Sequence, residues 1–352
     1  MSDLRAVPAN HGLPRGLRVV ALGGGTGLPV VLRGLKHAIA ACGGSLTGIV
    51  NVTDDGGSSG RLRRDYHVLP MGDIRNCLVA LSENEPLMSA LFQYRYRGKG
   101  ELGGHSVGNL ILTALADCQR SYLRAIETSG EVLKIRGRIL PATLENVVLR
   151  ARLSDGRVIR GQSRIARSPG SIECLMTSPS RPVPAPGVLR VLREADLIVL
   201  GPGSLFTSIL PNLLVRGVTR AIARSRAVRV LVGNLMTQPG ETSGFSAEDH
   251  VLAVERCAGA GLLDYYLTNV RPIRSALRRR YAREGAEPVP LSPAAARRLG
   301  ITLVERDLVR EEPGARLVRH HEGKLARALA SILRRHAIRR LPRRGADSAV
   351  AS

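Results

Sequence analysis

Short apolar runs that end in glycine or polar residues alternate with segments of helical periodicity along this 352-residue chain. The first run covers residues 17–22, glycines follow it, and Leu28, Val31 and Leu35 then recur at helical spacing. A second run at residues 48–53 ends in a polar loop. Because strand, loop, helix and strand follow in this order, the pattern predicts a βαβ unit and therefore parallel strands.

The alternation resumes in the second half of the chain, after a region that is mainly helical in pattern. These repeated strand and helix signals predict an α/β protein with a mainly parallel sheet and a helical C-terminal part. The later strands are predicted at residues 196–200, 228–232 and 264–268, and the main helices at 73–81, 86–94, 107–127, 205–216 and 323–336.

Two segments interrupt this winding. Residues 147–160 alternate apolar and polar positions around Asp155 and Gly156, which predicts an inserted β-hairpin. Residues 168–187 contain five prolines, which favour a connector between the two halves of one domain at residues 17–335. We expect residues 1–16 to be a disordered leader and the basic residues 336–352 to be a disordered tail.

Composition narrows the class of protein. Hydrophobic residues make up 44% of the chain but aromatic residues only 3%, so the core must be aliphatic. The net charge of +23 comes almost entirely from arginine, and no nucleic-acid-binding motif accompanies it. We therefore attribute the charge to a compositional bias towards arginine and to a small anionic ligand, rather than to a surface that binds nucleic acid. Five scattered cysteines and the lack of a long apolar stretch favour a protein with reduced thiols, without a membrane span, in the cytoplasm.

The strongest local signal is the glycine loop, residues 23–27, between the first strand and the first helix. Glycines allow a phosphate to approach the backbone, and the helix N-terminus that follows favours an anion. The loop lacks the Gly-Lys-Ser/Thr ending of a Walker A motif. A phosphate site and a purely structural turn are both open, and the phosphate site is favoured.

The aspartate loop, residues 54–60, follows the second strand and should open on the same carboxyl edge of the sheet. Asp54 and Asp55 could hold Mg²⁺, hydrogen-bond a sugar hydroxyl, or stabilise the loop as an Asx turn. Arg61 could contact a phosphate or lie on a solvated face.

Two further segments place polar side chains at predicted helix starts. Residues 72–76 include Asp73 and Asn76, and residues 104–109 include His105 and Asn109. His105 is a candidate proton carrier or phosphate ligand, although a structural hydrogen bond is favoured for a lone histidine.

Two more loops follow later strands. The Gly201 loop, residues 201–204, repeats the arrangement of a glycine-rich turn between strand and helix, and the Asn234 loop, residues 234–240, offers amide and hydroxyl groups. All these loops should meet at one edge of the sheet. The predicted ligand-binding residues are Gly24, Gly25, Thr26, Gly27, Asp54, Asp55, Ser58, Arg61, Asp73, Asn76, His105, Asn109, Gly201, Gly203, Ser204, Asn234 and Thr237.

Taken together, these segments resemble the gluconeogenesis factor family, the YvcK-like group, which is related to 2-phospho-L-lactate transferase. The resemblance covers residues 17–330 and is carried by six segments, at residues 21–29, 52–63, 72–81, 104–114, 201–212 and 233–242. It implies a Rossmann-like, doubly wound α/β fold that binds UDP-N-acetylglucosamine, in a protein needed for normal cell shape during gluconeogenic growth.

The resemblance does not assign a catalysed reaction or any catalytic residue. The leading hypothesis is a nucleotide-sugar-binding regulator that couples carbon metabolism to cell-wall synthesis, with cell-wall synthesis proteins or a Ser/Thr kinase as candidate partners. The alternative is a Mg²⁺-dependent transferase that uses a nucleotide-activated donor and holds the metal with Asp54 and Asp55. The hypothesis of a nucleic-acid-binding protein depends on the net charge alone. The sequence leaves open whether the protein forms a homo-oligomer.

Overall fold

The computed structural model describes residues 13–340 apart from residues 99, 169, 291–292, 311 and 313–314. Within them, a seven-stranded sheet has parallel pairing throughout, and a second sheet has three antiparallel strands. The strands are β1 (Arg18–Gly23), β2 (Ser45–Val50), β3 (Arg138–Pro141), β4 (Val148–Leu153), β5 (Val158–Arg160), β6 (Ile172–Ser178), β7 (Leu197–Leu200), β8 (Val228–Val232), β9 (Tyr265–Asn269) and β10 (Thr302–Arg306).

Helices connect the parallel strands and also form a subdomain between β2 and β3. A π-helical turn, Leu205–Ile209, leads into the ninth α-helix. The helices are α1 (Gly27–Ala41), α2 (Gly57–Tyr66), α3 (Gly72–Leu81), α4 (Glu85–Phe92), α5 (Val107–Gln119), α6 (Tyr122–Val132), α7 (Gln162–Ile165), α8 (Val188–Glu194), α9 (Leu210–Leu213), α10 (Val218–Arg224), α11 (Ala247–Ala258), α12 (Ser275–Arg283), α13 (Pro293–Arg298) and α14 (Glu322–Arg340).

The order of the large sheet is β10-β9-β8-β7-β1-β2-β3. The chain winds outward from β1 through β2 to β3, then returns to β7 on the other side of β1 and winds to β10. The direction of winding therefore reverses between β1 and β7. In open α/β sheets this reversal creates a crevice at the carboxyl ends of the strands, where ligands bind.

Alternate residues of β1 contribute to two separate hydrophobic cores, one on each face of the sheet. Val19 and Ala21 belong to the core covered by α1, α3 and α14, whereas Val20 and Leu22 belong to the core covered by α8 to α11. Both faces of the sheet are thus buried, as parallel sheets require. The predicted doubly wound α/β fold is confirmed, and it holds the ends of β1 and β7 rigidly side by side.

The predicted hairpin is present as β4 and β5, and the structure adds β6 as a third strand. This third strand lies inside residues 168–187, which were predicted to be only a connector. The single helix predicted at residues 107–127 is two helices, α5 and α6, because Arg120 takes a left-handed φ of 48° and Ser121 caps α6. Strands β3 and β10 were not predicted.

Several predicted boundaries differ in the structure. The aspartate loop is shorter than predicted, because α2 begins at Gly57, so Ser58 and Arg61 lie on a helix. The last helix, α14, ends at Arg340 rather than near residue 336. Of the predicted leader, only residues 13–16 are described, and the tail beyond residue 340 lies outside the described residues.

Candidate functional site

A cleft of ≈ 220 Å³ opens at the carboxyl ends of β1 and β7, where the winding of the sheet reverses. Eight of the predicted ligand-binding residues line it: Gly24, Gly25, Thr26, Gly27, Gly203, Ser204, Asn234 and Thr237. Of the four loops predicted to meet at one edge of the sheet, the glycine loop, the Gly201 loop and the Asn234 loop line this cleft, whereas no residue of the aspartate loop does.

Close backbone packing explains why the glycine loop is built of glycine. A Cβ on Gly27 would lie 2.0 Å from the carbonyl oxygen of Pro202, and a Cβ on Gly24 would lie 2.7 Å from Oδ2 of Asp73. Gly25 takes a left-handed φ of 60°. The loop can therefore reach the Gly201 loop and Asp73 only without side chains.

The N-terminus of α1 faces this cleft without a protein anion in its first turn. Its N-cap, Thr26, makes no side-chain capping hydrogen bond, and the first turn contains no acidic residue. The first amides of an α-helix have no partner within the helix, and the helix dipole adds partial positive charge there. This end of α1 is thus suited to a ligand phosphate.

The helix that follows the Gly201 loop is different, because a protein carboxylate already occupies its start. Glu241 is buried, and its Oε2 accepts hydrogen bonds from the amides of Phe206 and Thr207, at 3.1 and 3.2 Å. Its Oε1 accepts the Thr207 hydroxyl at 2.6 Å. The Gly201 loop therefore shapes the cleft and presents Ser204, but these two amides are not free to bind a phosphate.

The Asn234 loop contributes mainly through amide groups. Oδ1 of Asn234 accepts the Gly203 amide at 3.3 Å, which joins the two loops. Gln238 donates from Nε2 to Ser204 Oγ at 3.0 Å, and its Oε1 has no hydrogen-bond partner among the described residues. Thr237 is buried at the cleft: its amide donates to the Glu287 carbonyl oxygen at 2.7 Å, and its hydroxyl oxygen accepts the Glu287 amide at 3.0 Å.

Three residues that line the cleft were not found from the sequence: Tyr281 on α12, and Arg319 and His320 just before α14. Arg319 is exposed, and within the described part of the chain its side chain has no hydrogen bond or ion pair. His320 is buried, and burial lowers its pKa to about 4, so this histidine is neutral at physiological pH. Its Nε2 lies 3.1 Å from the Gly233 carbonyl oxygen.

Behind the glycine loop lie two carboxylates, those of Asp54 and Asp73. Burial, together with the charge of Asp54, raises the pKa of Asp73 to about 6, although the Gly25 amide and Arg75 oppose the shift. Burial also raises the pKa of Asp54, although the Gly56 amide donates to its Oδ1 at 3.0 Å. An anion bound at Gly25 would therefore lie close to an acid that titrates near pH 6.

Asp55 does not join this acidic pair. Its Oδ1 accepts the amide and the hydroxyl of Ser163, at 2.9 and 2.6 Å, at the start of α7. Ser163 therefore holds one oxygen of Asp55, while the charge of Asp55 still contributes to raising the pKa of Asp54. Within the described residues, no group of three or more His, Cys, Asp or Glu side chains is arranged to hold a metal.

Of the remaining predicted residues, Gly201 follows β7 with a left-handed φ of 75° and does not line the cleft. The other five form a separate polar network where α2, α3 and α5 begin. Oγ of Ser58 lies 3.1 Å from Nδ1 of His105 and 3.1 Å from Nδ2 of Asn109. Buried Arg75 donates to Oδ1 of Asn109 and Asn76, each at 2.9 Å. None of these residues lines the cleft.

Two further observations complete this network. Arg61 donates to the Gly103 carbonyl oxygen at 2.7 Å. Burial, together with the charge of Arg61, lowers the pKa of His105, so this histidine is neutral and hydrogen-bonded rather than a cation. The network thus joins the helices between β2 and β3 to one another, because most buried polar groups of the network are hydrogen-bonded.

Comparison with known proteins gives consistent matches over most of the chain. The model of the family 2-phospho-L-lactate transferase CofD matches residues 19–309. The gluconeogenesis factor of Bacillus subtilis is 42% identical over 317 residues, which are 90% of this chain and 98% of that protein. The gluconeogenesis factor of Halalkalibacterium halodurans is 42% identical over 311 residues, 88% of this chain and 95% of that protein.

A solved structure shows the same fold. The crystal structure of a protein from Bacillus halodurans is similar to this chain with a TM-score of 0.85 at 42% sequence identity. The similarity covers 90% of this chain and 99% of that one. The match to the family model, at residues 19–309, includes the glycine loop, the Gly201 loop and the Asn234 loop.

Proposed function

Because this chain belongs to the gluconeogenesis factor family, within the wider family of 2-phospho-L-lactate transferase CofD, we propose that its cleft binds the nucleotide-sugar UDP-N-acetylglucosamine. The protein then acts as a nucleotide-sugar-binding regulator in the cytoplasm. The observation that carries this proposal is the N-terminus of α1, which has no acidic residue in its first turn and shares the cleft with Arg319, a cation without an ion pair among the described residues.

The diphosphate is the part of the ligand best supported by charge. The α1 amides and helix dipole attract a phosphate from one wall of the cleft, and Arg319 can form charge-assisted hydrogen bonds to it from another wall. Since Glu241 fills the start of the helix after β7, the phosphates belong at the glycine loop rather than at both loops.

The uridine and sugar are supported by neutral groups. Gln238 lines the cleft, and its Oε1 is buried and has no hydrogen-bond partner among the described residues. An N–H of the uracil ring or of the acetamido group that reaches this oxygen would satisfy it. The ring of Tyr281 offers an apolar face for a base or sugar. Asn234 holds the Gly203 amide and keeps these groups in place.

The regulatory role follows from the family rather than from the cleft. A gluconeogenesis factor that binds a cell-wall precursor would couple carbon supply to wall synthesis and cell shape. Cell-wall synthesis proteins and a Ser/Thr kinase are the partners proposed for it. Among the described residues, no helix is both long and apolar enough to cross a membrane.

Calorimetry with UDP-N-acetylglucosamine tests the binding step, with UDP and N-acetylglucosamine as separate titrants. We expect the whole nucleotide-sugar to bind more tightly than either part. The regulatory step is tested by expressing the chain in Bacillus subtilis that lacks its gluconeogenesis factor. Restored cell shape on a gluconeogenic carbon source supports the proposal, and restoration by a variant that cannot bind the nucleotide-sugar contradicts the proposed link.

The transferase alternative predicts turnover of a nucleotide-activated donor with Mg²⁺. Its proposed metal ligands are Asp54 and Asp55, of which Asp55 already accepts the amide and hydroxyl of Ser163 through Oδ1. Product formation by the wild-type chain, and its loss in Asp54→Asn without loss of nucleotide binding, would favour the transferase over the regulator.

A further inference from the structure

A second cavity, of about 570 Å³, lies on the other face of the sheet from α1. It is formed by the segment after β6, the end of α9 and the start of α10, and its lining includes Arg181, Arg216 and Arg220. None of its lining residues lines the cleft described above. The cavity lies within the size range of small-molecule sites.

The three arginines give this cavity its charge. Within the described part of the chain, none of them has an ion pair or a side-chain hydrogen bond, whereas Arg18 and Arg229 bind Asp196 and Asp264 at 3.0 and 2.7 Å. All three residues are exposed, and an anion that binds between them would interact with three guanidinium groups at once. Guanidinium groups also match the planar and bidentate geometry of carboxylates and phosphates.

The opposite wall is apolar. Leu213 and Val215 are buried beneath the cavity, and Leu214 is half-buried beside them. Inorganic phosphate alone would leave Leu214, the least buried of the three, in contact with water. A ligand that carries both an anionic head and a short apolar group would satisfy both walls, because each apolar group removed from water adds to binding.

We propose that this cavity is a second ligand site, which takes a small amphipathic anion: a phosphate or carboxylate head on a short apolar group. Arg181, Arg216 and Arg220 hold the head, and Leu213, Leu214 and Val215 contact the apolar group. The ligand is separate from the nucleotide-sugar and binds whether or not the cleft is filled.

The position of the cavity also connects it to the glycine loop. Asn212, next to the lining residue Leu213, donates from Nδ2 to the carbonyl oxygens of Gly23 and Ser208, at 3.3 and 2.8 Å. A ligand that shifts the end of α9 therefore acts on residues that border the cleft. This link makes the cavity an effector site for nucleotide-sugar binding, an extension that rests on the proposed function.

Calorimetry on the full chain tests the second site directly, with butyl phosphate and pentanoate as probes and inorganic phosphate and butanol as references. We expect one of the two probes to bind at least tenfold more tightly than both references. The double variant R216S/R220S should weaken this binding at least tenfold. The matched control R193S/R224S removes two exposed arginines from the neighbouring helices α8 and α10 and should leave the binding unchanged.

The outcomes separate this proposal from the proposed function. Arg319→Gln should not affect probe binding, and R216S/R220S should still bind UDP-N-acetylglucosamine in the absence of the probes. The second site is overturned if neither probe binds at millimolar concentration, if inorganic phosphate binds as tightly as butyl phosphate and pentanoate, or if both double variants weaken binding equally. Thermal unfolding confirms that each variant is folded.

Discussion

Gly27→Ala tests how closely the two loops of the cleft must approach. The new Cβ would lie 2.0 Å from the Pro202 carbonyl oxygen and 2.6 Å from its carbonyl carbon, although real Cβ atoms essentially never come within 3.0 Å. The glycine loop and the Gly201 loop must therefore separate by about 1 Å. Forced overpacking of this kind costs about 1–3 kcal/mol of unfolding free energy. The gain of alanine over glycine in a helix, at most about 1 kcal/mol, offsets only part of this.

The effect on binding should exceed the effect on stability. A displacement of about 1 Å in a positioned site can cost about 10²-fold, so we expect nucleotide-sugar affinity to fall by that order while the protein stays folded. Urea unfolding measures the loss of stability, and calorimetry measures the loss of nucleotide-sugar affinity. Gly100→Ala is the control, because no atom lies within 4 Å of its Cβ position. Wild-type affinity and stability in Gly27→Ala would refute the close approach of the loops.

Three further changes test the charges around the cleft. Because the pKa of Asp73 is raised to about 6, its carboxyl is neutral below that pH. The affinity for an anionic ligand and the free energy of unfolding should therefore both fall as the pH rises through about 4 to 6. Asp73→Asn should remove both trends, which calorimetry and urea unfolding at a series of pH values measure. Glu241→Ala leaves the Phe206 and Thr207 amides without their acceptor, at about 1–3 kcal/mol each, so an unchanged urea midpoint would contradict the capping role. Arg319→Gln removes an exposed cation and should weaken nucleotide-sugar binding at least tenfold while the melting temperature stays constant.

The part of the site that the sequence predicted correctly is local in the chain. The glycine loop follows a strand directly and precedes a helix, so its position at the sheet edge follows from the order of elements alone. The Gly201 loop and the Asn234 loop were placed by the same reasoning. Parallel strands of one sheet present their carboxyl ends on one side, which brings these loops together without knowledge of the intervening chain.

The part that was missed depends on contacts between distant residues. Glu241 reaches the start of the helix after β7 from 35 residues away, and no local pattern marks that contact. Arg319 and His320 come to the cleft through the path of the chain after β10. Asp54 and Asp55 are neighbours in sequence, but Asp54 accepts the Gly56 amide and interacts with Asp73, whereas Asp55 accepts the amide and hydroxyl of Ser163, 108 residues away in the chain.

Some features of the fold were hidden for similar reasons. Strand β3 has only four residues, ends in Pro141 and lies at the edge of the sheet, so it lacks the long apolar run of a central strand. The break between α5 and α6 did have a local signal, because Ser121 is a good N-cap residue. It was overlooked because the apolar periodicity continues on both sides of it.

The central claim is that the cleft between the glycine loop and Arg319 binds a nucleotide-sugar. Titration calorimetry of UDP-N-acetylglucosamine into the wild-type chain and into folded Arg319→Gln measures this most directly. The account predicts saturable binding of one ligand per chain, weakened at least tenfold in the variant. The absence of binding heat at millimolar ligand with folded wild-type protein, or equal affinity in the two proteins, would contradict it.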